Sequence, residues 1–344
     1  MVNGFHSRLR QSFSVWTIVI IFLACCLLSG CSSEDIAKKN INAPLSTATT
    51  NPTPNVTRDP THTPEPAKVV INIVDALGQE ISFESTPKKI ATISPTATEM
   101  LYLLGGSSIL RDRSSDFPNQ VKAVPSIGSA YNPSIEKIVA GKPDLVILEA
   151  LTQARFVGVL KNYGLQVMAV KAETLDDIKT SILNIGSVID KKDVASAKIL
   201  DIEKRLLTVG SNDGRSVLLL ISDQDRNLYA ARPESYTGLI ADILGMENKA
   251  AGLADSGPYP GFAAISPEAI LKSNPDIIIT ISPAPAPAPR LSKTLVQIPP
   301  FAGLKAIRTD KVIEADVALF LQSPGPRIIN AVEFLKKRLT PESS

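Results

Sequence analysis

The chain has 344 residues, 44% hydrophobic, 20% charged and 5% aromatic, with 36 Lys and Arg against 34 Asp and Glu. That is the composition of a globular protein rather than a disordered or fibrous one. Arg8 and Arg10 lie in an N-terminal stretch without acids and account for the formal charge of +2. The rest of the chain is neutral and lacks the basic surface that neutralising nucleic-acid phosphates requires, so no nucleic-acid partner is expected.

In chain order, the first segment combines this basic start with an apolar run at 15–28 and ends in Leu28-Ser29-Gly30-Cys31. A basic head, a short apolar centre and small residues before a cleavage point make a secretion signal over 1–30. The run is shorter than the about 20 apolar residues that a membrane span needs. Leu-Ser-Gly-Cys resembles a bacterial lipobox, which implies cleavage before Cys31, acylation of its thiol and attachment of the new N-terminus to a membrane through hydrocarbon chains. Residues 31–67 are rich in Ser, Thr, Pro and Asn, have no apolar periodicity, and read as an extended tether.

Two chemistries are excluded by counting. Cys25 and Cys26 leave with the signal and Cys31 carries lipid, so a mature chain with three cysteines in its precursor has none free for a disulfide. His62, in the tether, is the histidine that remains once His6 is removed, and neither a His-based triad nor a zinc hydrolase can be built around it. No GxGxxG follows a predicted strand, and no GxxxxGK[ST] is present.

From 68 to 173 strands and helices alternate. VVINIVDA and KKIATIS are dense in β-branched residues and read as strands. PTATEMLYLLGG reads as a helix with Ser94 as N-cap, Pro95 in its first position and Gly105 ending it. A short strand near SSILRDRSS, a helix in SIEKIVAGK, a buried strand DLVILEA, a helix ARFVGVLKNYG and a strand LQVMAVKA complete this lobe. The alternation implies a largely parallel sheet covered on both faces.

Between 174 and 213 the rhythm becomes helical. Thr174 and Asp177 have capping-box spacing, and Leu175, Ile178, Ile182, Ile185 and Ile189 keep nearly helical period; KKDVASAKILDIEKRLLTVG reads as a second helix. This stretch is either two more helices of one domain or a rigid spacer between lobes. Alternation resumes over 214–340, with SVLLLIS and NLYAA as paired strands, SYTGLIADILG and ISPEAILKSN as helices, DIIITIS and KVIEAD as strands, and GPRIINAVEFLKKRL as a closing helix.

The two lobes repeat each other. SIEKIVAGKPDLVIL and SPEAILKSNPDIIIT align without a gap, pairing Ser134 with Ser266, Glu136 with Glu268, Pro143 with Pro275 and Asp144 with Asp276. Taken with KKIATISPTATEMLYLLGG, SYTGLIADILGMENKAAG, PYPGFAAISPEAIL and SPGPRIINAVEFL in this order, the chain from 69 to 339 resembles the substrate-binding proteins of ABC importers for cobalamin and iron–siderophore complexes.

The resemblance implies an α/β fold of class III periplasmic-binding-protein type: two Rossmann-like lobes joined by a long interlobe helix, with a bulky chelate bound between them. It implies a non-enzymatic, lipid-anchored, extracytoplasmic monomer that passes its ligand to a permease dimer driven by an ATPase. No cofactor is expected, and metal enters only within the chelate. Glu136 and Glu268 match the family's lobe-surface glutamates, which dock onto arginines of the permease; their other reading is a favourable charge in the first turn of a helix.

Candidate ligand contacts at strand ends are Ser94, Arg113, Ser114, Tyr131 and Asn132 in the first lobe, with Arg232, Tyr236, Tyr259, Phe262 and Phe320 in the second. The arginines suit carboxylates of a ferric chelate or simply face solvent, and Phe320 equally suits a core position. Aromatic positions of cobalamin-binding members are Ser114 and Ala130 here, which weighs against cobalamin. The proline-rich loop at 283–289 is a stiff flap over the cleft or a surface spacer. A surface-anchored enzyme needing no histidine and a haem-binding or sensor lipoprotein remain alternatives.

Overall fold

The computed structural model describes residues 70–285 and 287–340; the signal sequence, Cys31 and the tether lie outside them. Alternating side chains form the first element pair. Strands β1 (Ile71–Val74) and β2 (Glu80–Phe83) are antiparallel and turn Ile73, Ile81 and Phe83 inward. Buried Asp75 closes the hairpin by accepting from the Leu77 and Gln79 amides, each at 2.9 Å, and ties it to the sheet through the Ala169 amide at 3.0 Å.

The remainder of the first lobe runs β3 (Ile90–Thr92), α1 (Pro95–Leu103), β4 (Gly128–Ser129), β5 (Asn132–Pro133), α2 (Ile135–Gly141), β6 (Leu145–Glu149), α3 (Ala150–Gln153), α4 (Val157–Asn162) and β7 (Val167–Val170). Its sheet is parallel in the order β3-β6-β7. Every residue of β6 is buried, as a strand covered on both faces requires. The short strand expected at 107–115 is reduced to isolated bridges, Ala91 with Leu110 and Arg111 with Ser126. Its continuation is turned away by buried Asp112, which accepts from the Ser114 amide at 2.7 Å and from the Ser114 and Ser115 hydroxyls.

Helices α5 (Leu175–Val188) and α6 (Lys192–Val209) follow. The Thr174–Asp177 capping box is formed, with both bonds at 3.0 Å. Helix α5 packs on α1, β1 and β7 and is part of the first lobe; α6 alone crosses, lying on α5 and on the last helix. Its 18 residues span about 27 Å. The approach of α5 to α6 needs Gly186, where an added Cβ would stand 2.6 Å from the Cβ of Ala195.

The second lobe contains β8 (Ser216–Ser222), β9 (Leu228–Ala231), α7 (Tyr236–Ile243), β10 (Glu247–Asn248), β11 (Phe262–Ala264), α8 (Pro267–Ser273), β12 (Ile277–Ile281), α9 (Leu291–Leu295), α10 (Lys305–Arg308), β13 (Val312–Ala315) and α11 (Ile328–Leu339). Its strand order is β11-β9-β8-β12-β13, with β10 also on β8. Strands β8, β12, β13 and β10 are parallel, whereas β9 and β11 form an antiparallel edge. One hydrophobic cluster runs through α1, α5, α6, α7, α11 and the facing sides of the sheets, and each lobe has a smaller cluster of its own. The lobes therefore share a core. Arg205 of α6 and Glu333 of α11 add a bidentate pair at 3.1 and 2.7 Å.

The internal repeat is structural. Ser134 and Ser266 cap α2 and α8 by accepting from the Lys137 and Ala269 amides, and both helices stop at a left-handed residue, Lys142 or Asn274. The Asp of each Pro-Asp then pins the start of a neighbouring strand. Asp144 accepts from the Lys88 and Lys89 amides at 2.9 Å, and Asp276 from the Ser216 amide at 2.8 Å. Lys305, then Ser216, hold the Asp276 carboxyl well below the usual carboxylate range. A depressed acid stabilises the fold above its unfolded pKa and loses that contribution as pH falls towards its folded value. Asp276→Asn is expected to cost about 2 kcal/mol at neutral pH. In urea titrations the difference from the parent should shrink as pH falls below about 4.

Candidate functional site

The loops at the carboxyl ends of β3, β6 and β7 face those after β9 and β12 and enclose a cavity of about 640 Å³. Ser94 stands there because it caps α1 directly after β3, its hydroxyl accepting from the Ala97 amide at 3.1 Å. Tyr236 stands there because Ser235 caps α7, accepting from the Gly238 amide at 3.0 Å. Gly238 cannot be replaced without movement, since a Cβ would lie 2.0 Å from the Arg232 carbonyl oxygen.

Of the residues singled out from sequence, Ser94, Arg113, Ser114 and Tyr131 line the cavity from the first lobe, and Tyr236, Tyr259 and Phe262 from the second. Tyr259 sits edge-on to Tyr229 and Phe262, with ring centroids 5.5 and 6.2 Å away. Burial, then Asp223 and Tyr131, push its hydroxyl pKa up. Tyr131 is 68% exposed at the mouth.

Three residues lie elsewhere. Asn132 is an exposed residue of β5 that pairs with Ser129. Arg232 turns to Glu234 at 3.1 Å and Asp255 at 3.5 Å. Phe320 is fully buried, its ring 5.9 Å from Phe334; only its carbonyl reaches towards the site, accepting from the Thr237 hydroxyl at 2.5 Å. Position at a strand end brings a loop to the cleft but does not decide which side chains turn inward. In the proline-rich loop, Pro283 lines the cavity and the other described residues do not.

Sequence reasoning missed Glu149 and Gln153, which build the first-lobe wall. Glu149 ends the otherwise apolar β6 and caps α3, accepting from the Leu151 and Thr152 amides at 2.8 and 3.0 Å and from the Thr152 hydroxyl at 2.9 Å. Burial pushes its carboxyl up. Gln153 is wholly buried; it accepts from the Glu149 amide at 2.9 Å and donates to the carbonyls of Ala130, at 2.9 Å, and Ile93. A lone acid closing an all-apolar strand was the available signal. Among the described residues no group of three His, Cys, Asp or Glu side chains is placed to hold a metal ion, and no helix is long and apolar enough to cross a membrane.

Beside Tyr236 the lobes are joined by charge. Glu99 of α1, 3% exposed, receives Arg327 Nε at 2.7 Å and Nη2 at 2.5 Å, and the guanidinium also lies 4.3 Å from the centroid of the Phe117 ring. Burial pushes the Glu99 carboxyl up, against the pull of Arg327. The Tyr236 hydroxyl is buried next to this pair, and burial raises its pKa strongly.

A raised carboxyl favours the fold at low pH and withdraws that support as pH rises through its folded value. Arg327→Met, which strands Glu99, is expected to cost about 3 kcal/mol at pH 7. Because burial pushes the Glu99 carboxyl up, the loss should shrink as pH is lowered and the stranded charge is neutralised; urea unfolding across a pH series checks both statements.

A profile of periplasmic binding proteins matches residues 90–319. The ABC transporter substrate-binding lipoprotein YvrC of Bacillus subtilis is 28% identical over 286 residues, which cover 79% of this chain and 86% of the relative. A vitamin B12-binding protein of Pectobacterium carotovorum is 26% identical over 201 residues, 56% of this chain and 71% of its own. The solved structure of the petrobactin-binding protein YclQ of Bacillus subtilis superposes with a TM-score of 0.71 at 21% identity, over 80% of this chain and 100% of that one. That last likeness is one of fold.

Proposed function

The chain belongs to the periplasmic binding protein family, and on that premise we propose that it captures an iron–siderophore or cobalamin-type chelate outside the cell and delivers it to an ABC import permease. It is a carrier and not an enzyme. The observation that carries this reading is the cavity of about 640 Å³, walled by both lobes and furnished with the ring of Tyr131 from the first and those of Tyr236, Tyr259 and Phe262 from the second. Rings offer contact area at small entropic cost, which suits reversible capture of a bulky ligand.

Cys31 in its lipobox-like setting supports lipid attachment to the outer face of a membrane, with the segment at 31–67 as the tether. In this reading the carrier acts as a monomer. Its other partners are the permease dimer and the ATPase that drives it.

Glu136 and Glu268 support a docking role through their equivalence. Each is exposed in the first turn of its helix, and each carboxyl is lowered by the backbone and by the capping serine, Ser134 or Ser266. One carboxylate on each lobe lets a partner carrying arginines sense how the lobes are disposed.

Two measurements test the reading. A chelate of the right class at 100 times its Kd should stabilise the folded state by about 2.7 kcal/mol and raise the melting temperature, whereas no shift with siderophores, corrinoids or haemin would oppose the carrier role. The double substitution Glu136→Lys with Glu268→Lys should abolish uptake by cells while purified protein still binds its ligand; uptake at the parental rate would refute docking through these residues.

A further inference from the structure

The charged groups around the cavity bear on the charge of its ligand. Among the described residues that line it, Arg113 is the one cation, against the carboxylates of Glu149 and Glu173. Neighbouring basic groups are already engaged. Lys171 is held by Glu173 at 2.5 Å and Asp177 at 3.7 Å, Arg232 by Glu234 and Asp255, and Arg327 by Glu99. Arg155, at the rim, donates to the Tyr131 carbonyl and lies over the Phe156 ring at 4.9 Å.

The two carboxylates differ in what they can do. Both oxygens of Glu149 are taken by the amides that begin α3. Glu173 is 26% exposed and holds Lys171 through Oε2, which leaves it the acid able to meet a ligand. The remaining wall is made of tyrosines, prolines and hydroxyl or amide groups, and most of these polar groups are bonded within the protein: Ser94, Ser235 and Gln153 to backbone, Thr152 to Glu149, Ser114 to Asp112. A polyanion entering here would meet the guanidinium of Arg113, and that of Arg155 beside Tyr131, against Glu149 and a Glu173 already paired with Lys171, so the wall has no surplus of positive charge to repay the desolvation of several negative charges. A neutral chelate carries no such cost, and a cationic one is drawn to Glu173.

We infer that this cavity takes neutral or cationic metal chelates and turns polyanionic ones away, with Glu173 setting the discrimination. The inference rests on the carrier reading above and narrows its substrate class.

The experiment is a set of dissociation constants for the full mature chain, measured by quenching of tyrosine fluorescence. The probes are the neutral ferrichrome and cyanocobalamin, the cationic ferrioxamine B and the trianionic ferric enterobactin. The tightest neutral or cationic probe should bind at least about a hundredfold better than ferric enterobactin. Glu173→Gln releases Lys171 and should narrow that ratio about tenfold.

Ferric enterobactin binding as tightly as the others would overturn the charge inference and leave the carrier reading intact. An unmoved ratio in Glu173→Gln would overturn the role of Glu173. Failure of every probe to bind folded, empty protein would overturn the carrier reading itself, and the charge inference with it.

Discussion

The buried pair of Glu99 and Arg327 is the constraint on which the arrangement of the two lobes depends. It joins α1 of the first lobe to the start of α11 in the second, in a place where Glu99 is 3% exposed and burial already opposes its charge. An ion pair of this kind contributes little net stability against a well-packed apolar substitute, but separating its members leaves a charge without solvent or partner. Its effect is to make one relative position of the lobes much better than others. The shared hydrophobic cluster and the Arg205–Glu333 pair between α6 and α11 act in the same sense.

A single crossing helix strengthens that restriction. A helix resists bending along its whole length, whereas a pair of extended strands can absorb large changes of φ and ψ at a few residues. Motion between the lobes is then expected to be a small hinge at the ends of α6, which are flanked by Lys191 and Gly210. Such a carrier recognises its ligand with a cavity that is largely formed beforehand, which keeps the ordering cost of binding low. The internally bonded Gln153, Glu149 and Asp112 serve this end by fixing the loops of the wall before any ligand arrives.

The repeated helix and Pro-Asp unit gives the same device to both lobes. A serine starts the helix, a left-handed residue ends it, and the aspartate fastens the next strand to its neighbour. Because this geometry is local, it places Glu136 and Glu268 in equivalent settings on different lobes, which is the arrangement a two-sided partner would read.

What the amino-acid sequence determined by itself was local: the caps at Ser94 and Thr174, the apolar period of α5, the buried run of β6 and the duplicated unit that announced two α/β lobes. Each depends on contacts within a few residues or on a regular hydrophobic pattern, and these survive in one dimension. The tertiary structure decided which loop residues face the cavity. Tyr236 and Tyr259 line it, whereas Arg232 turns to Glu234 and Asp255 and Phe320 packs on Phe334. It also brought together Glu99 and Arg327, separated by 228 residues, and assigned α5 to the first lobe and only α6 to the crossing. Side-chain direction in a loop and pairing of buried charges are set by packing among distant segments, and no periodicity along the chain records that packing.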